Sequence, residues 1–230
     1  MKPLVSIFLP TRNRVDLFYK ALYSIFDTCN KDNLNFEVIV KADFDDLKTL
    51  DHIKTQHSNF ENVKYIVSSR KNGYNSLPEF QLDSGNLAQG KYFMSFNDDG
   101  LFLTENWNDI LEDRLKEFKF YYPQVNGYRE AFFIIPTKLK DILGHYSPHA
   151  QTDGYIKWLG QVLGINEYID EVETWQDLDL VDNLSKEKDD QKPINLGNRD
   201  FHKTSQVFKD DIRKLQSYLN IDILKPIVEL

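Results

Sequence analysis

Three short polar segments of the sequence carry residues that could bind a metal ion and a phosphorylated ligand. In chain order they are Pro10-Thr11-Arg12-Asn13-Arg14, Asp43-Phe44-Asp45-Asp46 and Asn97-Asp98-Asp99. Carboxylate oxygens are the ligands that Mn²⁺ and Mg²⁺ prefer, and the oxygens of a bound diphosphate could complete the coordination of either ion. The paired acids of the third segment therefore predict a metal site built from oxygen ligands.

Each polar segment follows a run of residues that predicts a buried β-strand. The apolar runs, whose length is typical of strands, cover residues 5–10, 36–40, 63–67 and 92–96. Apolar spacing over residues 17–26, a polar helical pattern over 46–57 and Pro78 at a helix start predict the helices between them. Strands that alternate with helices form a parallel sheet, and ligands of such sheets bind beyond the carboxyl ends of the strands. We therefore expect the three segments to meet at one edge.

The second half of the sequence predicts a less regular succession of elements. Thr104 is expected to cap a helix with an inward face of Trp107, Leu111, Leu115 and Phe118. The elements expected after it are a strand over residues 131–135, a short helix capped by Thr137 and ending at Gly144, a helix over 153–163, a strand over 168–173 and a final helix over 204–219. Residues 177–190 are acidic and aperiodic, which predicts a mobile loop that could close over the site.

The composition limits the class of protein. The chain has 230 residues, a formal net charge of -8, 41% hydrophobic residues and 28% charged residues, which fits one globular domain with a substantial core. An acidic protein is a poor candidate for charge-driven binding to nucleic acid. The single cysteine, Cys29, excludes a disulfide framework and a cysteine-rich zinc site, so we expect a reducing, cytoplasmic location. No apolar stretch has the length of a membrane span or a secretory signal.

One motif has the residue spacing of a phosphate-binding loop. Residues 85–91 match the spacing G-x-x-x-x-G-K, but Tyr92 stands where the motif needs Ser or Thr. The segment is also expected to close a helix and open a strand, whereas a phosphate-binding loop joins a strand to the following helix. We therefore discard this motif. The fingerprints G-x-G-x-x-G, G-x-S-x-G and H-E-x-x-H do not occur, whereas a glycoside hydrolase needs only two carboxylates and stays open as an alternative.

The candidate residues also have ordinary structural explanations. Asp98 and Asp99 could form a turn before a glycine, and Asp43 could cap the helix that follows it. The loop arginines Arg12 and Arg14 could be solvated side chains. The functional hypothesis depends instead on the repeated placement of these residues, because all three polar segments follow the carboxyl end of a predicted strand in the same way.

Three stretches of the chain carry a family resemblance. They are Val5-Ser-Ile-Phe-Leu-Pro-Thr-Arg-Asn-Arg14, Phe36-Glu-Val-Ile-Val-Lys-Ala-Asp43 and Asn86-Leu-Ala-Gln-Gly-Lys-Tyr-Phe-Met-Ser-Phe-Asn-Asp-Asp99. In combination they resemble the nucleotide-sugar-dependent glycosyltransferases of family 2, which have the GT-A fold. The resemblance implies an α/β fold with a Rossmann-like, mostly parallel sheet flanked by helices and a C-terminal helical extension. The implied division is a GT-A catalytic domain over 1–175, with a nucleotide-sugar-binding half (1–110) and an acceptor-side half (111–175), and an acidic loop and C-terminal helix over 176–230.

The resemblance also implies roles for the polar segments. The first loop and the acid after the second strand hold the nucleoside in this family, which assigns Pro10, Thr11 and Asp43 to the base and ribose. The aspartates after the fourth strand form the family's DxD motif, so Asp98 and Asp99 would face ribose, metal and diphosphate, with Asp99 as the metal ligand. The full nucleotide-sugar-binding set implied is Pro10, Thr11, Arg12, Arg14, Asp43, Gly73, Tyr74, Asn97 and Asp98. Asn97 replaces the usual first acid of the motif. Arg70 and Lys71 lie with Gly73 and Tyr74 on the loop after the third strand and could flank the nucleotide.

In the second half the resemblance implies a catalytic base. Family members carry an acid at the start of a helix beyond a strand, and Asp153 fits that place, although it could also cap its helix. Relatives often have a metal-binding histidine after that helix. Trp175 stands near the expected position, and His202 is the only histidine downstream, so His202 is the candidate for a further metal ligand or, alternatively, a packing residue.

The activity implied is transfer of a sugar from a nucleoside diphosphate sugar, with a UDP-sugar as the expected donor, to an acceptor hydroxyl. The resemblance further implies a Mn²⁺ or Mg²⁺ cofactor and inversion at the anomeric carbon. The acceptor stays open between a glycan, a protein and a modified DNA base. One alternative is a nucleotidyltransferase, although residues 10–14 lack the glycines of its N-terminal loop. A non-catalytic nucleotide-sugar-binding protein is the other.

Overall fold

The protein folds around one eight-stranded sheet with helices on both faces. The computed structural model describes residues 2–71, 73–126, 130–177 and 205–221. The strands are β1 (Val5–Thr11), β2 (Phe36–Asp43), β3 (Val63–Ser68), β4 (Tyr92–Ser95), β5 (Gly100–Phe102), β6 (Phe120–Val125), β7 (Ile134–Pro136) and β8 (Asn166–Gln176). The helices are α1 (Val15–Asp27), α2 (Leu47–Gln56), α3 (Leu77–Leu87), α4 (Trp107–Arg114), α5 (Leu139–Leu143), α6 (Thr152–Leu163) and α7 (Gln206–Leu219), and 3₁₀ turns cover His57–Asn59 and Gly73–Ser76.

The first half of the chain forms the predicted parallel sheet. Strands β3, β2, β1 and β4 lie side by side in that order and run in one direction. Val5 of β1 pairs with Phe36 of β2 on one side and with Tyr92 of β4 on the other. Mostly apolar runs form these strands because helices cover both faces of a parallel sheet. The carboxyl ends of β1, β2 and β4 consequently lie at the same edge.

The second half extends this sheet with strands of both directions. The full order is β3-β2-β1-β4-β7-β6-β8-β5. Strand β7 is antiparallel to both β4 and β6, β8 is parallel to β6, and β5 is antiparallel to β8. The sheet as a whole is mostly parallel, which confirms the predicted α/β class. Because β8 ends beside β5, it returns the chain to the edge where the polar segments lie.

Three strands and one helix that follow β4 differ from the sequence-based prediction. Strand β6 was missed because it holds Pro123, which weakens a strand pattern, and its ladder with β8 shifts register between Pro123 and Gln124. Strand β5 is too short to give a pattern. The strand predicted over 131–135 is wrong in extent, since only β7 is formed there. Helix α4 ends at Arg114, so Phe118 lies beyond the helix to which it was assigned.

Two predicted helix caps are wrong because both threonines bond elsewhere. Thr104 accepts a hydrogen bond from the backbone N–H of Glu173 at 2.7 Å, and the N-cap of α4 is Asn106. Thr137 donates to the carbonyl oxygen of Gly90 at 2.7 Å, and the N-cap of α5 is the residue after it. Each threonine therefore ties its loop to a neighbouring part of the chain. Sequence patterns do not reveal such long-range partners.

Two clusters of buried side chains lie on opposite faces of the sheet. Residues alternate between faces along a strand, and Met94 of β4 belongs to one cluster while Phe93 belongs to the other. The first cluster lies under α1 and α4, and the second lies under α3, α5, α6 and α7. Helix α7 is fixed to the second face by Asp211, which accepts from Tyr155 and lies 3.2 Å from Nε2 of His145.

The described helices do not include one with the length and apolar character needed to cross a membrane. Two predictions fall outside the residues that the structure describes. One is the loop over residues 177–190, of which only Asp177 is described, and the other is the role of His202. Both stay predictions.

Candidate active site

The loop after β1 is fixed to the start of α2. The backbone N–H of Asn13 donates to Oδ2 of Asp46 at 2.6 Å. Asn13 has a φ of +56°, a conformation that asparagine tolerates better than most residues. Asp46 also accepts from the backbone N–H of Thr49 at 3.2 Å and is the N-cap of α2. The capping role considered for Asp43 therefore belongs to Asp46.

Asp43, at the end of β2, is a buried anion with three cationic partners. Its Oδ2 lies 2.8 Å from Nη1 of Arg12 and 2.9 Å from Nε of Arg70, and its Oδ1 contacts Nζ of Lys41. The Lys41 ammonium also lies 3.5 Å from the ring centroid of Phe80. Burial lowers the pKa of Lys41, although the Asp43 charge opposes this effect. A buried carboxylate with several charged partners is held in one orientation.

Asp98 and Asp99 form a buried carboxylate pair beside Arg14. Each aspartate is 6% exposed, and their turn is closed by a hydrogen bond from Gly100 N to Asn97 O at 3.0 Å. Nη1 of Arg14 lies 3.0 Å from Oδ1 of Asp98 and 3.7 Å from Oδ2 of Asp99. The aspartates do form the turn considered from the sequence. A turn does not require burial of two carboxylates, however, and their burial costs free energy that a bound cation would offset.

The pKa values of the pair show how strongly it is desolvated. Burial raises the pKa of Asp98 to about 6, the Arg14 charge opposes this increase, and the Asp99 charge adds to it. Burial also raises the pKa of Asp99, again against the effect of Arg14. The positive charge present at this site is therefore not enough to offset the burial of both carboxylates.

Strand β8 brings two more residues to Asp99. Nε2 of Gln176 lies 3.5 Å from Oδ1 of Asp99, and the backbone N–H of Asp177 donates to the Asp99 carbonyl oxygen at 3.1 Å. Trp175 pairs with Leu101 of β5. The residue beside the predicted metal ligand is therefore Gln176, one position after the tryptophan that the resemblance singled out. Gln176 was missed because a glutamine at a strand end carries no distinctive sequence signal.

The carboxylate pair fits a divalent metal only together with a ligand. Within the described ranges, no group of three or more His, Cys, Asp or Glu side chains is placed to hold a metal ion. Asp98 and Asp99 would therefore supply one or two oxygens, and a diphosphate and water would supply the rest. This is the usual way in which proteins hold Mg²⁺ with a phosphorylated substrate.

Tyr74 interacts electrostatically with both Asp99 and Asp153. It belongs to the 3₁₀ turn after β3 and has 48% of its surface exposed. Desolvation raises the pKa of Tyr74 to about 12, and the charges of Asp153 and Asp99 add to the effect. Because Coulomb interactions weaken with distance and are screened by solvent, Tyr74 must lie near both the turn after β4 and the start of α6.

Asp153 occupies the first turn of α6, where Gln151 holds the N-cap position. Burial raises the pKa of Asp153, the charge of Glu130 adds to the increase, and Lys157 opposes it. Glu130 is itself buried and lies 2.9 Å from Nζ of Lys157. A carboxylate with a raised pKa is a better proton acceptor than an ordinary aspartate. Glu130 was missed because its place in the sequence follows no predicted strand end.

The structure brings most of the predicted residues to this edge. Thr11 is buried at the end of β1, and Pro10 before it is half-buried. Arg12, which contacts Asp43, also forms an ion pair with Asp45, with Nη1 2.6 Å from Oδ1. Gly73 opens the turn that carries Tyr74, with a φ of +56°. Lys41 was missed, although a lysine inside an apolar strand is an unusual signal. The residues assembled in this region are Pro10, Thr11, Arg12, Arg14, Lys41, Asp43, Arg70, Gly73, Tyr74, Asn97, Asp98, Asp99, Asp153 and Gln176.

Comparison with protein families identifies the chain. The sequence model of "Glycosyl transferase family 2" matches residues 6–163. The chain belongs to this family. It is therefore a glycosyltransferase, and the resemblance inferred from the sequence is confirmed. The match extends from β1 through α6 and so includes both the carboxylate pair and Asp153. Family membership decides against the nucleotidyltransferase and glycoside hydrolase alternatives.

Solved structures confirm the GT-A fold of this glycosyltransferase. TarS 1–349 from S. aureus in complex with UDP has a TM-score of 0.59 and 13% identity, and the match covers 97% of this chain and 76% of that chain. The mannosyltransferase PcManGT from Pyrobaculum calidifontis, in complex with GDP-Man and Mn²⁺, has a TM-score of 0.60 and 12% identity. This match covers 100% of this chain and 78% of that chain. A comparison with curated protein sequences gives no significant match.

Proposed function

We propose that this glycosyltransferase transfers a sugar from a nucleoside diphosphate sugar, with UDP-sugars as the preferred donors, to an acceptor hydroxyl with inversion and with help from Mn²⁺ or Mg²⁺. The observation that carries the proposal is the buried Asp98 and Asp99 pair at the end of β4, with Tyr74 near enough to interact electrostatically with both Asp99 and Asp153. The carboxylate pair suits a cation and a diphosphate. Asp153 offers a carboxylate that can accept a proton.

The donor half of the site would orient the nucleotide. Pro10, Thr11 and Asp43 lie where the family resemblance places the base and ribose, and the cations around Asp43 fix its carboxylate without help from a ligand. Asp98 and Asp99 would hold the divalent metal, which when bound neutralises charge on the diphosphate leaving group. Gly73 and Tyr74 would border the sugar between the diphosphate and Asp153.

Asp153 would act as the general base. Its raised pKa favours removal of a proton from the acceptor hydroxyl as that oxygen attacks the anomeric carbon. A base on the side opposite the leaving diphosphate produces inversion. We assign residues 111–175 to the acceptor side because α6 carries Asp153. The acceptor itself stays open between a glycan, a protein side chain and a modified DNA base.

Two relatives support the choice of donor class and metal. TarS has been solved with UDP, and PcManGT has been solved with GDP-Man and Mn²⁺. Both ligands contain a nucleoside diphosphate, although their bases differ. The preference for uridine in this chain is our proposal from the resemblance, which places Asp43 at the base.

A donor screen tests the proposal. Panels of UDP-sugars and GDP-sugars would be incubated with the protein with and without Mn²⁺, and free UDP or GDP would be measured with and without a mixture of acceptors. We expect UDP release that needs both Mn²⁺ and an acceptor. UDP release unaffected by chelation would contradict the metal requirement, and exclusive use of GDP-sugars would contradict the uridine preference. Stable binding of donors with no turnover on a broad acceptor panel would contradict the proposed transfer to an acceptor hydroxyl.

A further inference from the structure

Arg14 bridges two parts of the molecule that are distant in the sequence. It precedes α1 as the N-cap residue, and its side chain reaches the turn after β4, where it contacts Asp98 at 3.0 Å and Asp99 at 3.7 Å. The Arg14 side chain is 19% exposed. The backbone is fixed as well, since Phe18 N donates to the Arg14 carbonyl oxygen at 2.9 Å. The guanidinium therefore forms ion pairs with both carboxylates of the proposed metal site.

A guanidinium and a divalent metal cannot easily share these carboxylates. Nη1 of Arg14 already approaches one oxygen of each aspartate, and a metal ion bound to the same pair would lie within a few ångströms of it. Two cations at such a distance in a buried site repel each other strongly. Metal binding to this pair therefore requires Arg14 to move.

A bound nucleotide supplies a destination for Arg14. A diphosphate carries several negative charges, and the planar fork of arginine matches phosphate oxygens well. The loop arginine Arg12 is not a rival for this role, because it is engaged with Asp43 and Asp45. The Arg14 guanidinium is thus a positive charge with the chemistry to pair with either the carboxylates or a diphosphate.

We propose that Arg14 is the resident counter-ion of the Asp98 and Asp99 pair and that it passes to the diphosphate when a divalent metal takes its place. Metal and nucleotide then bind cooperatively, since each makes room for the other. Mn²⁺ alone binds weakly to the nucleotide-free protein because it has to displace Arg14. By thermodynamic linkage, UDP strengthens Mn²⁺ binding by the same factor by which Mn²⁺ strengthens UDP binding. The inference rests on the proposed function in assigning the pair to metal and nucleotide.

Binding of Mn²⁺ alone tests the inference without any turnover. Electron paramagnetic resonance of free Mn²⁺ would give its affinity for the wild-type protein and for Arg14→Gln in the absence of nucleotide. We expect Arg14→Gln to bind Mn²⁺ about tenfold more tightly, because the competing charge is gone. In saturating Mn²⁺, calorimetry should show UDP binding to the variant about tenfold more weakly than to the wild type, because a phosphate partner is lost.

Two further variants control the experiment. Arg12→Gln removes a guanidinium from the same loop but from the Asp43 cluster, so its affinity for Mn²⁺ alone should stay within about twofold of the wild type. Arg14→Lys keeps the positive charge and serves if Arg14→Gln fails to fold. The lysine ammonium lies one bond closer to the backbone than Nη1 of arginine, which contacts both carboxylates. The ammonium therefore reaches the pair less well, and we expect Mn²⁺ alone to bind at least about threefold more tightly to Arg14→Lys than to the wild type.

The outcomes separate this inference from the proposed function. Mn²⁺ binding to both Arg14 variants that is no tighter than to the wild type overturns the counter-ion role, even if UDP-sugar transfer is observed. An equal increase in Arg12→Gln also overturns it, because the effect would then reflect the charge of the loop as a whole. Tighter Mn²⁺ binding confined to the Arg14 variants supports the role, even if no donor is ever used.

Discussion

The two acidic centres of the candidate active site differ in how their charge is compensated. Asp43 at the end of β2 has Arg12, Lys41 and Arg70 around one carboxylate. The Asp98 and Asp99 pair has two carboxylates, and both form ion pairs with the Arg14 guanidinium. The first centre is complete without a ligand, whereas the second is short of positive charge. Charge that a folded protein leaves uncompensated marks a place where a ligand can supply it.

This difference in charge compensation suits the two centres to different tasks, one to orienting a ligand and the other to binding a cation. A carboxylate surrounded by fixed cations costs no reorganisation when a base or ribose binds to it. A desolvated pair of acids gains most from a cation, because the cation offsets a cost that the fold has already incurred. The Asp43 centre should therefore contribute mainly to stability and to placement of the nucleoside, and the Asp98 and Asp99 centre mainly to metal and diphosphate binding.

The largest expected effect comes from removing the charge of the complete centre. Asp43→Asn leaves the buried Lys41 ammonium without its anion, and breaking a buried ion pair in this way costs about 3 kcal/mol or more. We expect the free energy of unfolding in urea to fall by that amount. Asp45→Asn is the matched control, because Asp45 also contacts Arg12 but its side chain is 49% exposed. An exposed pair contributes less than about 1 kcal/mol. Equal losses in the two variants would contradict the view that Asp43 is the structural centre.

The next effect concerns the incomplete centre and appears in binding. Asp99→Ala removes the proposed metal ligand and also relieves a buried charge, so it should leave the free energy of unfolding nearly unchanged. The affinity for UDP in the presence of Mn²⁺ should fall by roughly a hundredfold, as expected for loss of a coordinating group. Calorimetry measures this, with Asp113→Ala as the control, because Asp113 is an exposed aspartate of α4. UDP binding unchanged by both substitutions would remove Asp99 from the metal site.

The two centres were not equally visible in the sequence. Asp98 and Asp99 could be found because two adjacent acids directly follow a buried apolar run, and the parallel strands predicted which segments would meet. The cations of the Asp43 centre could not be assigned, since Lys41 looks like an interruption of β2 and Arg70 lies in a loop. The positions of Gln176 and Glu130 depend on β6 and β8, and Pro123 obscured the pairing of those strands. Alternation of strands and helices thus predicts the parallel half well, whereas side-chain partners across the mixed half need the structure.

Asp153 extends the comparison to a third carboxylate, whose raised pKa suits proton transfer. Asp153→Asn should leave UDP binding with Mn²⁺ intact and lower turnover by roughly a hundredfold, because general base catalysis is lost while the donor is still held. Asparagine also keeps a side-chain oxygen for the backbone N–H groups at the start of α6, whose N-cap residue is Gln151. Steady-state kinetics and calorimetry on the same samples separate the two effects. Turnover close to that of the wild type would exclude Asp153 as the base.

The same residue predicts a pH dependence of activity. Burial raises the pKa of Asp153 above the ordinary aspartate value, so the base becomes protonated at a higher pH than usual. We therefore expect kcat/KM to fall as the pH decreases through that raised value, with an acid limb above about 4. The pH profile of kcat/KM at saturating Mn²⁺ measures this limb. An acid limb at the ordinary aspartate value would indicate that Asp153 is not desolvated in the working enzyme.

The smallest expected effect is a gain in stability at the incomplete centre. The pKa of Asp98 is raised to about 6 in the folded protein, against about 4 for an unfolded aspartate. A folded-state pKa that is raised favours the folded state at low pH, and this contribution is lost as the pH rises through about 6. Above that pH the charged Asp98 opposes folding, and Asp98→Asn should therefore be more stable than the wild type by about 1 kcal/mol at pH 7.5.

The pH dependence of this gain distinguishes desolvation from a general effect of the substitution. At pH 4 the Asp98 carboxyl is protonated in the folded state and resembles the asparagine in charge, so the difference in the free energy of unfolding should shrink towards zero. Urea unfolding at both pH values, without metal, measures the difference. A variant that is less stable than the wild type at pH 7.5 would show that the contact with Arg14 outweighs the burial of Asp98. In that case the pair would be a structural ion pair like the Asp43 centre, and the contrast between the two centres would disappear.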